Sequence, residues 1–466
     1  MWLTAFAHAM HFRSSSGPFI KRAHDYETGM DLSQLSRSDR MVDNSSLFEE
    51  ILNQDNVTSP SARCVFCKGS KMLCGKDRCS VVARFYSASR IRQQIDRTDI
   101  DGASPPSVFV GRFGYPSVAI GPMIPPYHGD TSMMDTPERW GRLTIDDIID
   151  FRSTMVRGMH TVKVHDVENP DKLVVRTRDL AMARTPPDVF AEFKRKPFGK
   201  LTVNDDAEPF GPSAPLRKFD VSNYKFDTRL EKAYFDTDLK ARDAVVSLYG
   251  NGTLVSQIQR AFSVGAFGVG KRRKFVPTRW SITAVDSNLG LHMLETTKTF
   301  PAINEYRVYE SRSLDNRYTV IMMPTSWRYE LIEAWYPKTA WNPYGDRIAI
   351  MGDHEFFDNR TTYASIGGCY YSARLAVNEL LQRERRQAGV VILREAHPGY
   401  ILPVGVWSVR ETVRAAMRSQ PKRFPALKDA LSHVSTVLDI PISRWIKNSA
   451  ILKDALYQKR IDQSWG

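Results

Sequence analysis

The chain has little cysteine, no long apolar run and no internal repeat, and each shortage removes a class of protein. Five cysteines in 466 residues are too few for a secreted domain stapled by disulfides. No stretch reaches the roughly eighteen consecutive apolar residues that a membrane-spanning helix needs. The opening MWLTAFAHAM has no basic residues ahead of it and no clear small-residue cleavage site, so it does not read as a secretory signal. Without a fixed period, a solenoid is excluded. Acidic residues are also in deficit: 52 Asp and Glu stand against 65 Lys and Arg, a formal net charge of +13. A surplus of that size favours a polyanionic partner, most simply nucleic acid.

What remains is an ordinary globular composition, 42% hydrophobic and 25% charged. At about 150 residues per domain, the length suggests two to four domains. Residues 1–58, rich in Ser and Asp, read as a flexible extension. A cysteine-bearing module follows at 59–100. The body then divides into a first part, 101–245, and a second part, 246–440, before a basic helix and tail at 441–466. Within it, SVFVGR, PSVAIG, HTVKVHDV and KLVVRTRD read as strands, and TIDDIIDFRSTMVRGM as a helix capped by Thr144. DVFAEFKRK reads as helical, and polar 199–235 as a boundary or insertion. Further on, EYRVYESRS, YTVIMMP, YELIEAWY, RIAIMG and VVILREA read as strands. SARLAVNELLQRERRQ and SVRETVRAAMRS read as helices. The fold class is α+β (mixed α/β), with a small zinc-ribbon-like module ahead of a larger body of sheet and helix, and the composition fits a cytoplasmic protein.

Four of the five cysteines fall together in CVFCKGSKMLCGKDRC: Cys64, Cys67, Cys74 and Cys79. Two residues between the first pair let both thiolates reach one ion from a tight turn. Four thiolates suit tetrahedral zinc with no open position, a structural role. An iron–sulfur cluster uses the same ligands, and free thiols or a disulfide are the bland reading. Cys369, alone in IGGCYY, reads as a core thiol.

The run GAFGVGKR nearly meets the phosphate-loop pattern, but Arg272 stands where the magnesium-binding hydroxyl belongs. The preceding IQRAFSV is also a poor buried strand. A better reading is a nucleic-acid contact. Lys271, Arg272, Arg273, Lys274 and Arg279 supply positive charge, and Phe262, Phe267, Phe275 and Trp280 interleave aromatic faces. A solvated loop beside a buried aromatic core is the bland alternative.

Asp353 and Glu355 flank His354 after a strand, and Asp286 closes TAVD. Carboxylates at strand ends can hold magnesium or manganese, which would make a metal-dependent nuclease or other phosphate-processing enzyme. Glu395 and His397 are further candidates for such a centre. Pairing of these acids with the many arginines is the alternative, and no spacing enforces a shared site.

Several long motifs in order carry a resemblance. CVFCKG, SVFVGRFGYPSVAIGPMIPP, GVGKRRKFVPTRWSITAVD, GDHEFF, YASIGGCYYSARLAVNELL and LREAHPGYILPVGVWSVRETVR together closely resemble the archaeal Nre family of DNA repair proteins. The resemblance runs from about Cys64 to the C-terminus. It implies a zinc ribbon on Cys64, Cys67, Cys74 and Cys79. It also implies a tail that binds the sliding clamp, PCNA, with Gln458 in a polar pocket and Ile461 and Trp465 in a hydrophobic one. Ser464 stands where the clamp-binding pattern has its first aromatic. The resemblance carries no catalytic assignment. The resulting expectation is a repair factor that grips DNA, or RNA, on a basic surface and docks on PCNA, with no membrane partner.

Overall fold

The computed structural model describes residues 91–198, 210–339, 341–342 and 345–457, and singly Cys67, Cys79 and Ala83. The 1–58 extension lies outside the described residues. The fold is α+β and is built on two mixed six-stranded sheets.

After a helical turn α1 (Arg92–Ile95), the first sheet takes β1 (Asp99–Ala103), β2 (Val108–Val110), β3 (Ser117–Ile124), β4 (Val156–Lys163), β5 (Asp188–Phe193) and β6 (Ser213–Ser222). Their order across the sheet is β1-β5-β6-β4-β3-β2. Alternation drives it: Val189, Ala191 and Phe193 of β5 point inward between more exposed neighbours. DVFAEF is therefore a strand and not a helix: it pairs with β1 and β6 on its two sides, and burial alternates along it although Phe190 is also apolar. KLVVRTRD is the converse correction. It forms α3 (Lys172–Met182), because the Asp171 side chain accepts the Val174 N–H (2.9 Å) and nucleates a helix. The polar 199–235 stretch also holds β6, an inner strand with Leu216, Phe219 and Val221 buried.

Helix α2 (Ile145–Thr154) starts where the sequence placed it. Thr144 and Asp147 cap each other's backbone in a capping box. It stops at Thr154, and the rest of the expected helix becomes β4. Gly121 of β3 lies against Gly158 of β4 so tightly that a Cβ would come 1.9 Å from the Gly158 carbonyl oxygen. Only glycine fits there. Helices α4 (Thr228–Phe235), α5 (Ala241–Gly250), α6 (Val255–Ser263) and α7 (Thr278–Thr297) follow. They share with the sheet a core that runs from Ile91 to Leu289 and includes Leu375.

The second sheet has the order β10-β9-β11-β8-β7-β12. It is made by β7 (Tyr306–Ser313), β8 (Asn316–Met323), β9 (Arg328–Trp335), β10 (Ala349–Glu355), β11 (Gly389–Ala396) and β12 (Lys422–Phe424). Strands β9 and β11 are parallel, linked by a crossover through α8 (Gly368–Glu384). β7 to β11 and α8 match their sequence expectation, as does α9 (Trp407–Arg418). One face carries Tyr318, Val320, Tyr329, Leu331 and Ile392 against α8 and α9. The other face packs Ile321, Ile332, Val391 and Leu393 against α10 (Leu427–Val437), α11 (Ile442–Asn448) and α12 (Ala450–Tyr457). A sheet covered on both faces needs continuous apolar strands, and β11 is buried at every position. Among the described residues, no helix is long and apolar enough to cross a membrane.

Candidate nucleic-acid interface

The basic segment is a loop between two helices. After α6, Gly265 turns the chain at φ +71°, where a Cβ would lie 2.7 Å from Val167 and 2.9 Å from the Lys274 carbonyl oxygen. The loop is stapled back by Phe275 N–H to Val164 O (2.9 Å) and Val276 N–H to Ser263 O (2.9 Å). One short 3-10 turn, Gly270–Arg272, precedes α7. A helix therefore stands where a phosphate loop would have its strand, and that motif is absent in context as well as in its last residue.

The loop displays its charges unequally. Lys271, Arg272 and Arg279 are exposed and Lys274 is half-buried. None of the four makes an ion pair among the described residues. Arg273 is engaged in the fold: Nε donates to Gly268 O (2.7 Å) and Nη2 donates to Tyr234 O (2.7 Å) and Asp236 O (3.1 Å). The aromatic residues are a correction. Phe262, Phe267 and Phe275 are buried in the first core and offer no face to a base. Trp280 is half-buried, tilted against Tyr115 with ring centroids 5.2 Å apart. The Phe side chains follow the apolar face of α6 and its continuation, which the core claims first.

The acidic candidates do not converge. Asp286, on α7, is fully buried between Arg410 Nη1 (3.0 and 3.1 Å to its two oxygens) and Gln259 Nε2 (2.9 Å). Burial pushes its carboxyl up, and Arg410 pulls it back. Glu355 is buried and accepts from Arg374 Nη1 (2.8 Å) and Trp327 Nε1 (3.2 Å). Asp353 pairs with Arg360 and accepts the Ser365 N–H (2.6 Å). Burial would raise Asp353, but Arg360 and the donated hydrogen bonds hold its carboxyl below the ordinary range. Each acid thus has its own arginine. Asp286, Asp353 and Glu355 are not among the side chains close enough to share one ion. The geometry that a nuclease centre needs is not built from these three residues.

Glu395 and His397 meet a residue the sequence did not offer, Asp439, with ligand atoms all within 4.8 Å of one another. Glu395 is fully buried and accepts the N–H groups of Ile440 (2.8 Å) and Asp439 (3.1 Å), and His397 Nε2 lies 3.3 Å away. Asp439 is in turn paired with Arg317. The cluster clasps the turn before α11, and all three groups are engaged in doing so. Asp439 stands far from Glu395 in sequence, and no local pattern pointed to it. Cys369 begins α8 half-buried, and burial pushes its thiol up, as for a structural cysteine.

Two candidate sites fall outside the described residues. Of the cysteine quartet, Cys67 is buried and Cys79 half-buried, while Cys64 and Cys74 lie outside. Gln458, Ile461 and Trp465 lie beyond the last described residue, Tyr457.

Comparison with known proteins gives a consistent result. The family model described as archaeal Nre, N-terminal, matches residues 73–342, and that described as archaeal Nre, C-terminal, matches residues 355–464. The chain is 40% identical over 391 residues to a protein named DNA repair protein NreB from Archaeoglobus fulgidus, covering 84% of this chain and 97% of the relative. It is 37% identical over 376 residues to the same organism's DNA repair protein NreA, covering 80% and 93%. To the DNA repair protein NreA of Haloferax volcanii it is 32% identical over 363 residues, covering 76% and 86%. No solved structure matches.

Proposed function

The chain belongs to the archaeal Nre family, and from that premise we propose that it is a DNA repair factor that holds nucleic acid on the loop from Lys271 to Arg279 and docks on PCNA through its tail. Relatives over most of the chain are named DNA repair proteins, which supports the repair role. The observation that carries the grip is the set of unpaired cations. Lys271, Arg272, Lys274 and Arg279 stand together without an ion pair among the described residues, whereas Arg374, Arg394 and Arg410 are engaged in buried pairs. Four thiolates, from Cys64, Cys67, Cys74 and Cys79, would hold a structural zinc, and Gln458, Ile461 and Trp465 would enter the clamp.

Binding to labelled single-stranded DNA is expected to weaken steeply with salt. Each lost phosphate contact should reduce the logarithmic slope by about 0.7. Lys271→Glu with Arg272→Glu should abolish most of the affinity, and an unchanged affinity refutes the loop assignment. Competition with duplex DNA and RNA decides the polymer. Trp465→Ala should abolish association with PCNA while sparing DNA binding. Metal analysis of the purified chain should find about one zinc per chain, lost in Cys64→Ser with Cys67→Ser.

A further inference from the structure

A second surface carries the two features that the Lys271–Arg279 loop has only in part: grouped guanidinium groups and exposed aromatic rings. It lies at the far end of α7. The rise along a helix of that length is about 30 Å.

The edge is locked by one side chain. Gln387 Nε2 donates to Lys298 O (3.1 Å) and Phe300 O (2.6 Å), and its Oε1 accepts the Trp327 N–H (2.9 Å). Its backbone N–H donates to Pro301 O (3.0 Å). The exits of α7 and α8 and the entry to β9 are thereby held as one piece.

Beside it opens a cavity of about 360 Å³ lined by Ala302, Asn304, Glu305, Arg307, Arg386 and Arg423. Three guanidinium groups arrive from β7, from the turn after α8 and from β12. Arg307 and Arg423 share the Glu305 carboxylate, and Arg307 also donates to Glu384 (2.7 Å). Arg386 is exposed and has no ion pair among the described residues. Arg383 and Arg385 stand exposed next to it on the same turn. A helix C-terminus attracts cations, which accounts for arginines on the last turn of α8. Arg307 and Arg423 reach the same cavity from two strands with the Glu305 carboxylate between them, and Arg386 adds a third guanidinium without an ion pair among the described residues.

The aromatic half is the turn after β10. Phe356 and Phe357 are 47% and 45% exposed, consecutive and solvent-facing. About half of each ring remains in water, so completing the burial of either would be worth roughly half of the 1.5–3 kcal/mol of a fully buried Phe, and the two rings together form an exposed apolar patch. Cations attend them. The Lys298 ammonium lies 4.8 Å from the Phe357 ring centroid and donates to Asn359 Oδ1 (2.8 Å), and the Arg328 guanidinium lies 6.0 Å from the Phe356 ring. Lys298 joins the two halves. Its ammonium sits on Phe357, and its carbonyl is held by Gln387, the residue after Arg386.

We infer that this edge is a second nucleic-acid site, in which the Arg307–Arg386–Arg423 cavity takes a backbone phosphate and the Phe356–Phe357 pair stacks an unpaired base. Charge complementarity selects a polyanion, and the exposed rings select one with planar faces, which is a single strand rather than a duplex or an acidic peptide. The inference rests on the reading that the chain holds nucleic acid, and adds the strand state and a second address.

The test uses the full-length chain and a single-stranded oligonucleotide carrying 2-aminopurine, read by anisotropy and by the fluorescence of the reporter base. Phe356→Ala with Phe357→Ala should lower affinity about ten-fold and erase the stacking signal, leaving the salt slope unchanged. Arg386→Glu should weaken binding and reduce the slope by about 0.7. All three side chains are exposed, and an unchanged urea midpoint certifies the fold. Affinity within two-fold of wild type in both variants overturns the second site. If Lys271→Glu with Arg272→Glu still abolishes binding in that case, the loop reading stands alone. No binding by wild type overturns both.

Discussion

The two sheets handle charge in opposite ways. The first buries an apolar face of Val118, Ile120, Val189, Leu216 and Phe219 and leaves its ion pairs in water. Arg217–Glu192 (3.0 Å) and Lys218–Asp220 (3.0 Å) are examples, with half or more of each basic side chain exposed. The second places charges inside. Arg394 is buried with Glu333 (2.6 Å), Arg374 with Glu355 (2.8 Å), and Glu330 accepts the N–H groups of Ala450 (2.8 Å) and Ile451 (3.1 Å). The same residue types do different work in the two regions. An acid at a strand end in the second sheet is a structural partner before it is a candidate catalyst.

The largest expected effect tests that difference directly. Glu333→Ala in the second sheet strands Arg394, whose side chain is buried, and should cost about 3–5 kcal/mol of stability in a urea titration. Glu192→Ala in the first sheet should cost about 1 kcal/mol or less, since its partner Arg217 is exposed. Similar losses from both would erase the contrast.

A smaller effect appears in the pH dependence. The Asp353 carboxyl is held below its ordinary value of 3.8 in the folded chain. Its contribution is therefore complete above that value and is lost as the pH falls through the lower folded value. Asp353→Asn should be less stable than wild type at neutral pH, and the two should converge in acid below the Asp353 titration. A difference that stays constant down to the acid transition would show that Arg360 does not hold the carboxylate.

The smallest effect is on the loop. Lys271→Glu with Arg272→Glu should change stability in a urea titration by no more than about 0.5 kcal/mol, because neither side chain has an ion-pair partner among the described residues. A large loss of stability would mean that these lysine and arginine side chains serve the fold, as Arg273 does.

Much of this was legible in the residues. Tyr306–Ser313, Arg328–Trp335 and Gly389–Ala396 announce themselves as strands by apolar, β-branched and aromatic runs, and Thr144 by its place before an amphipathic stretch. Two short segments exchanged types. Lys172–Met182 has a β-branched pair, Val174 and Val175, inside a helix whose Asp171 cap was the deciding signal. Asp188–Phe193 has helix-favouring Ala and Glu in a strand that its neighbours β1 and β5's partner β6 complete from both sides. Short runs do not contain enough periods to separate 3.6 from 2, and pairing across the sheet decides them.

The site divides along the same line. By itself the sequence determined the family, the basic balance, the cysteine quartet and the segment from Lys271 to Arg279, because each is written in consecutive residues. Only the tertiary structure decided which charges are free. Asp286 meets Arg410 across 124 positions, Glu330 meets Ile451 across 121 and Arg307 meets Glu384 across 77. Ion pairing depends on distance in space and on the water removed around the pair, and neither is a property of neighbouring residues in a chain. The folded chain pairs or hydrogen-bonds its buried acids and leaves Lys271 and Arg386 exposed, without an ion pair among the described residues.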